Sequence, residues 1–266
     1  MIRDITLGQF YPSGSPLHRL DPRVKVLMLI ASIVVIFCTF NFYALGIVAA
    51  LAVASIILSR VPVRLFLKSL KAIIFVVIFT SILNVFYGQG DPLWQWGILK
   101  ITWPGIQNAI FVTVRIITLV ILSSTLTFTT SPTDLTDALE RLMKPLSLLG
   151  IKVHEIAMMM TIALRFVPTL LEETDKIMSA QKARGADMES GNLISRIKAL
   201  IPVLIPLFVS AFRRAYDLAM AMECRCYQGG SGRTRMRKLK MSYRDLIGTL
   251  ILLTVFAGII LCNIFL

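Results

Sequence analysis

The chain has 266 residues, of which 56% are hydrophobic and 16% are charged, and its mean hydropathy is +0.76. This composition excludes an ordinary soluble domain and indicates a membrane protein. The net charge of +13 is compatible with nucleic-acid binding, but in a membrane chain Lys and Arg first report which loops stay in the cytoplasm. We therefore interpret the charge as topological and expect no nucleic-acid partner.

The first 20 residues contain Pro12, Pro16 and His18 before any apolar run, which differs from a cleavable signal peptide and predicts a cytoplasmic lead-in. The chain has four cysteines, with no Cys-x-x-Cys pair and no histidine at zinc spacing. We therefore expect no disulfide, no metal site and no cofactor.

Five windows are apolar and approach the length of a membrane-spanning helix: 24–40, 41–59, 70–88, 106–129 and 245–265. The loop after the second window carries Arg60, Arg64 and Lys68, which places it and the N-terminus inside. The loop 89–105 holds all three tryptophans and one cation, as expected outside. Multiple spans of this kind predict a multi-pass protein of a cell membrane.

The segment 131–242 holds 17 of the 28 Lys and Arg residues, which predicts a cytoplasmic location and an outward last helix. Two further apolar stretches, 156–171 and 199–212, are short and contain proline. If both crossed the membrane, many cations would lie outside, and if one crossed, the last helix would invert. We place both stretches at the membrane interface. The predicted domains are a four-helix membrane domain (1–130), a cytoplasmic helical domain (131–242) and a final spanning helix (243–266).

Helix signals divide the cytoplasmic segment into one short and two long helices. Ser131 and Pro132 are typical of a helix start, and an amphipathic pattern follows to about Lys144. The first long pattern runs over 153–183 and contains Pro168; the second runs over 192–227 and contains Pro202 and Pro206. The predicted fold class is therefore an all-α membrane protein with about five transmembrane helices and three further helices.

Both long helices end in an arginine between small residues, and these ends lie 41 residues apart. A cation at a helix end usually has only a capping role, but two matched ends favour arginines that enter pockets of a partner. The predicted docking residues are Ala183, Arg184, Gly185, Cys224, Arg225 and Cys226. Three alanines at four-residue spacing, Ala211, Ala215 and Ala219, predict a close helix crossing on the second helix, next to its two prolines.

The sequence resembles the transmembrane coupling component, EcfT, of energy-coupling factor transporters for vitamins and metals. The resemblance is carried by Leu20-Asp21-Pro22-Arg23-Val24-Lys25, Ser131-Pro132, Leu164-Arg165-Phe166-Val167-Pro168, Ala183-Arg184-Gly185, and Arg213-Arg214 followed by Ala221-Met222-Glu223-Cys224-Arg225. It covers most of the chain. Cys224 and Cys226 depart from the usual Ala and Gly, which puts the backbone geometry of the second end in question.

The resemblance implies a non-catalytic subunit of an ABC importer. Its partners would be two ABC-type ATPase subunits, docked by Arg184 and Arg225, and a small membrane substrate-binding subunit. Closure of the ATPases would move the long helices and reorient the substrate-binding subunit. The substrate is not implied, because in this family the separate subunit selects it.

Two rival functions remain open. A self-sufficient secondary transporter would need intramembrane acids, yet the clearest ionisable residue within the predicted spans is Arg115, which either pairs inside the bundle, for example with Asn84, or contacts a membrane partner. A membrane enzyme acting on lipids would need clustered acids or histidines at the interface, whereas His18 and His154 stand alone. The basic run Arg233, Arg235, Arg237, Lys238 and Lys240 predicts contact with anionic lipids.

Overall fold

The structure is a computed structural model that describes residues 9–39, 41–86, 92–96, 99–186, 192–230, 239 and 241–265. It confirms the all-α class. Within the described residues, the helices are α1 (Pro22–Phe37), α2 (Phe42–Ser59), α3 (Val63–Phe86), α4 (Trp103–Thr129), α5 (Pro132–Met143), α6 (Val153–Ala183), α7 (Leu193–Cys224) and α8 (Tyr243–Phe265). The predicted basic run 233–240 lies, apart from residue 239, outside the described residues.

The chain forms two compact units, one of Gly8–Ala138 with Lys238–Leu266 and one that contains Leu139–Arg237. The division falls inside α5. In the first unit α1, α2, α4 and α8 pack around a core of small and branched side chains, among them Ile36, Ala44, Val48 and Leu122. Because Ala44, Val48 and Ala52 recur every four residues and are almost fully buried, α2 presents a narrow face that lets its neighbours approach closely.

The outward faces of this first unit are apolar. Phe75 of α3 is 77% exposed and Ile57 of α2 is 69% exposed. Such surfaces are unfavourable in water and expected against lipid. In the part of the chain that the structure describes, five helices are long and apolar enough to span a bilayer: Phe42–Ser59, Val63–Phe86, Trp103–Thr129, Val153–Ala183 and Tyr243–Asn263. The chain is a multi-pass membrane protein.

This set of helices differs from the predicted spans at two places. The window 24–40 corresponds to α1, which has 16 residues and reaches about 24 Å at 1.5 Å per residue, less than the hydrocarbon thickness of about 30 Å. Conversely, α6 qualifies by length and composition, although we predicted an interfacial location for 156–171. Composition alone does not decide whether α6 crosses, so the interfacial location stays a prediction.

The outer loop predicted over 89–105 contains a hairpin that the sequence analysis did not predict. Strands β1 (Pro92–Trp96) and β2 (Leu99–Thr102) pair antiparallel, and α4 begins at once with the Thr102 hydroxyl accepting from the Gly105 amide at 3.2 Å. A Cβ at Gly105 would lie 2.7 Å from the Val85 carbonyl oxygen. Glycine therefore allows α3 and α4 to meet closely at this end.

Arg115 pairs inside the bundle, but with a different partner from the one we predicted. Its Nη2 donates to the Thr39 carbonyl at 2.7 Å, and its guanidinium lies 4.8 Å from the Phe111 ring centroid. Asn84 instead donates to Thr80 in its own helix. Arg115 thus satisfies a carbonyl at the end of α1, which would otherwise lack a partner.

One end of the first unit is joined by polar contacts around the Leu20–Lys25 motif. The Asp245 carboxylate accepts from the Asp21 amide at 2.7 Å, 224 residues away in sequence. Lys25 donates to the Thr129 carbonyl at 2.8 Å, which satisfies the end of α4. His18, predicted as interfacial, lies 2.7 Å from the Ser15 hydroxyl and from the Tyr11 carbonyl. This motif therefore holds α1, α4 and α8 together.

Candidate functional site

The two long helices α6 and α7 lie antiparallel. Arg214 Nη2 donates to Glu173 Oε2 at 2.6 Å, and Gln181 Nε2 donates to the Pro202 carbonyl at 3.5 Å. As residue numbers rise along α6, those of the contacting residues on α7 therefore fall. The C-terminal ends of the two helices consequently lie at opposite ends of the pair.

The second of these contacts follows from a proline. An α-helical carbonyl accepts from the amide four residues later, and Pro206 has no amide hydrogen, so the Pro202 carbonyl loses its helical partner. The Gln181 side chain supplies a donor instead. Both α6 and α7 continue through their prolines, and Pro168, Pro202 and Pro206 are all exposed.

The predicted alanine stripe does not form the main contact face of this pair. Among the side chains of α7 that the structure describes, the less exposed ones are Ala199, Val203, Leu207, Ser210, Ala211, Arg214, Leu218 and Met222. Their spacing of three and four residues defines one helix face. Ala211 lies at its edge and is half-buried, whereas Ala215 and Ala219 are exposed. A close crossing at these two alanines stays a prediction and would require a partner helix.

The end of α6 forms a complete Schellman motif. Arg184 is the C-cap residue, and Gly185 follows in the left-handed conformation with φ +85°. The Gly185 amide donates to the Lys182 carbonyl at 3.0 Å, and the Ala186 amide donates to the Gln181 carbonyl at 3.0 Å. These two bonds satisfy carbonyls that a helix end leaves without partners.

The end of α7 repeats this geometry with different residues. Arg225 is the C-cap, and Cys226 follows with φ +55°. The Cys226 amide donates to the Glu223 carbonyl at 2.8 Å, and the Tyr227 amide donates to the Met222 carbonyl at 3.1 Å. Although Cys226 replaces glycine, the backbone pattern of the first end is kept.

The two C-cap arginines are similar in their surroundings. Arg184 and Arg225 are exposed, and neither has an ion-pair partner among the described residues. Their flanking residues, Ala183, Gly185, Cys224 and Cys226, are also exposed. Each guanidinium is therefore free to bind an anionic or carbonyl-rich pocket.

The ion pair between the helices is placed symmetrically between these arginines. Glu173 lies 11 residues before Arg184, and Arg214 lies 11 residues before Arg225, which is about 16 Å along each helix. The contacts of Glu173, Arg214 and Gln181 were not predicted from the sequence, although Glu173 and Arg214 share the 41-residue offset of the two arginines. The antiparallel pairing that brings them together is not a local property of the sequence.

These features define the class of the protein as a helical, multi-pass membrane protein with a pair of long antiparallel helices, each ending in an exposed arginine. The family model described as cobalt transport protein, CbiQ, matches residues 13–236. The chain therefore belongs to the CbiQ family. Its relatives carry the name energy-coupling factor transporter transmembrane protein EcfT.

Curated relatives match nearly the whole chain. The energy-coupling factor transporter transmembrane protein EcfT of Ruminiclostridium cellulolyticum is 51% identical over 94% of this chain and 93% of its own length. The protein of the same name from Clostridium kluyveri is 52% identical, again over 94% and 93%. The one from Bacillus subtilis is 43% identical over 92% and 93%. The resemblance seen in the sequence motifs is thus confirmed.

Proposed function

We propose that this chain is the coupling and scaffold subunit of an energy-coupling factor type ABC importer for vitamins or transition-metal ions. It is not itself an enzyme; partner ATPases hydrolyse ATP. Movement of this chain transmits the closure of the ATPases to a substrate-binding membrane subunit. The observation that carries this proposal is the pair of matched helix ends, each with an exposed arginine that has no ion-pair partner among the described residues.

The antiparallel arrangement supports two docking positions, and therefore two ABC-type ATPase subunits. Arg184 and Arg225 lie about 16 Å from the central ion pair along their own helices, in opposite directions. One ATPase subunit binds at each end. A guanidinium that enters a pocket and loses its water there typically contributes a large share of the binding energy of an interface.

The exposed apolar side of α7 supports a membrane partner. The exposed residues include Ile197, Ile201, Ile205, Phe208 and Phe212, at spacings of three or four residues. Phe212 is 73% exposed and Phe208 is 60% exposed. A continuous apolar face of this size is unfavourable in water and marks a lipid or protein contact. The small substrate-binding subunit docks on this face, at the boundary of the cytoplasm and the membrane.

The same proposal assigns the sides of the membrane. The N-terminus and residues 131–242 are cytoplasmic, where ATP is available, and the basic run 233–240 contacts anionic lipids. The chain spans the plasma membrane of a bacterium several times.

The docking role is tested by replacing each terminal arginine. Arg184→Ala or Arg225→Ala should weaken retention of the corresponding ATPase on the purified membrane subunit by about 30-fold, since a central interface arginine contributes about 2 kcal/mol or more. The double variant should lose both ATPases and all uptake. Co-purification and substrate uptake in membrane vesicles are the measurements.

Arg165→Ala on α6 and Arg213→Ala on α7 are matched controls, because both arginines are exposed but lie away from the helix ends. They should retain both ATPases. Unchanged assembly and uptake in the double Arg184, Arg225 variant would refute the docking role.

A further inference from the structure

The imidazole of His154 lies where three parts of the chain meet. His154 Nδ1 is 3.0 Å from Glu140 Oε1 in the last turns of α5. Gly230, which follows α7, packs against the ring from another side: a Cβ at Gly230 would lie 2.8 Å from His154 Cγ and 3.1 Å from its Cβ. One side chain near the start of α6 therefore joins α5 to the segment that leaves α7.

The hydrogen bonding indicates a defined form of this histidine. Nε2 is buried and has no hydrogen-bond partner among the described residues, whereas Nδ1 faces a carboxylate. A hydrogen on Nε2 would be a buried donor without an acceptor, which is costly. With its hydrogen on Nδ1, the imidazole pairs that nitrogen with the carboxylate and leaves Nε2 as a buried acceptor. In that form it donates to Glu140.

Two adjacent glycines after α7 have different roles. Gly229 has φ +91° and open space around its Cα, so it provides the turn. A Cβ at Gly230 would overlap the imidazole of His154. The absence of a side chain at Gly230 therefore allows the backbone to approach the ring closely. The turn and the contact together bring the end of α7 back to the base of α6.

The contact constrains Arg225. Only four residues lie between Arg225 and Gly230, and the first two of them form the hydrogen-bonded Schellman motif. This short segment is thus bounded by the end of α7 on one side and by the contact of Gly230 with His154 on the other. A displacement of Arg225 moves this short segment and, with it, the imidazole.

We propose that His154 is a positioning residue that carries movement of the Arg225 end, through Gly230 and the Glu140 carboxylate, into α5. This inference rests on the proposed function, in which Arg225 docks an ATPase. The inference adds a path by which movement of the Arg225 end reaches the membrane domain. Only Thr130 and Ser131 lie between α4 and α5, so movement of α5 acts on the spanning helix α4. Without the imidazole, the ATPase binds and hydrolyses ATP but transport is uncoupled.

The first test uses His154→Ala in the full complex with its ATPases and a substrate-binding subunit. Co-purification of the ATPases should match the parent, while uptake per ATP hydrolysed should fall about fivefold, within the range for changes in a coupling network. Lys152→Ala is the matched control, because that side chain is 76% exposed and pairs only with nearby Glu155 among the described residues. It should keep the parental ratio. A parental ratio in His154→Ala overturns the proposal.

The second test restores the contact covalently. The Cβ positions of residues 154 and 230 lie 3.1 Å apart, close to the roughly 3.5–4.5 Å of a disulfide. H154C/G230C is placed in a cysteine-free chain in which Cys38 and Cys262 are replaced by serine, and Cys224 and Cys226 by the Ala and Gly that are usual at these positions. Oxidation should form the crosslink and return uptake per ATP to within about twofold of the cysteine-free parent, and reduction should remove it again.

Each remaining outcome decides the question. Failure to crosslink would show that residues 154 and 230 are not neighbours, and equal coupling in the oxidised and reduced states would show that their contact carries nothing. Both results overturn the proposal. Failure of the docking hypothesis can be distinguished from failure of this proposal. It would appear as normal ATPase binding by the Arg225→Ala variant, in which His154 is unchanged.

Discussion

At the scale of single residues, the two arginine-bearing ends differ most at the position after the arginine. Gly185 adopts φ +85° and Cys226 adopts φ +55°. Glycine enters the left-handed region without steric cost, whereas a residue with a Cβ costs about 1–2 kcal/mol there. The second end therefore keeps the same hydrogen bonds against a local conformational preference.

We predict that Cys226→Gly and Gly185→Ala have opposite effects. Cys226→Gly should stabilise its helix end by up to about 1 kcal/mol because it removes the left-handed penalty, and Gly185→Ala should destabilise its end by a similar amount. Hydrogen exchange of the amides at 226–227 and 185–186, in purified protein, measures both.

Ala183→Gly is the control for Gly185→Ala, since Ala183 is the last residue of α6 and does not need a positive φ. Slower exchange in Gly185→Ala than in the parent would contradict the prediction.

At the scale of elements, local signals predicted α5 and both long helices. Ser131 accepts from the Asp134 amide at 3.2 Å, as expected of an N-cap, and α6 covers the predicted 153–183. What local signals could not supply is which elements meet. The partner of Arg115, the antiparallel pairing of α6 with α7 and the contact of Gly230 with His154 all depend on residues far apart in sequence. The outer hairpin was missed because its strands are only five and four residues long.

We predict that Glu173 and Arg214 stabilise the antiparallel pair by a direct interaction. Their side chains are 24% and 36% exposed, so the coupling energy should be modest, about 1 kcal/mol. A double-mutant cycle with Glu173→Gln and Arg214→Gln, read by thermal unfolding in detergent, should show this energy. The reversed pair, Glu173→Arg with Arg214→Glu, should recover part of it.

Arg213→Gln is the matched control for this cycle, because it removes a neighbouring exposed arginine. It should be additive with Glu173→Gln. Additivity of Arg214→Gln with Glu173→Gln would instead show that the 2.6 Å contact contributes nothing measurable.

At the scale of the whole molecule, the open question is the side of the membrane on which each end of α6 lies. α6 is long and apolar enough to cross, but its apolar part is the N-terminal half. Glu172, Glu173, Asp175 and Lys176 follow in the next turns. Because α7 lies antiparallel to α6, a crossing α6 would also draw Arg214 toward the bilayer. Burying such groups is expensive, which supports an interfacial α6 and an outward C-terminus.

Single-cysteine reporters in a cysteine-free chain test this topology. Ser147→Cys and Asn192→Cys lie before and after α6, and we predict that a membrane-impermeant maleimide labels neither in intact cells but both after permeabilisation. Gln95→Cys in the outer hairpin should be labelled in intact cells, as should Leu266→Cys, because α8 then runs outward. A crossing α6 gives the opposite pattern at two reporters: Asn192→Cys would be labelled from outside, and Leu266→Cys would be protected, because each added span inverts the sides that follow it.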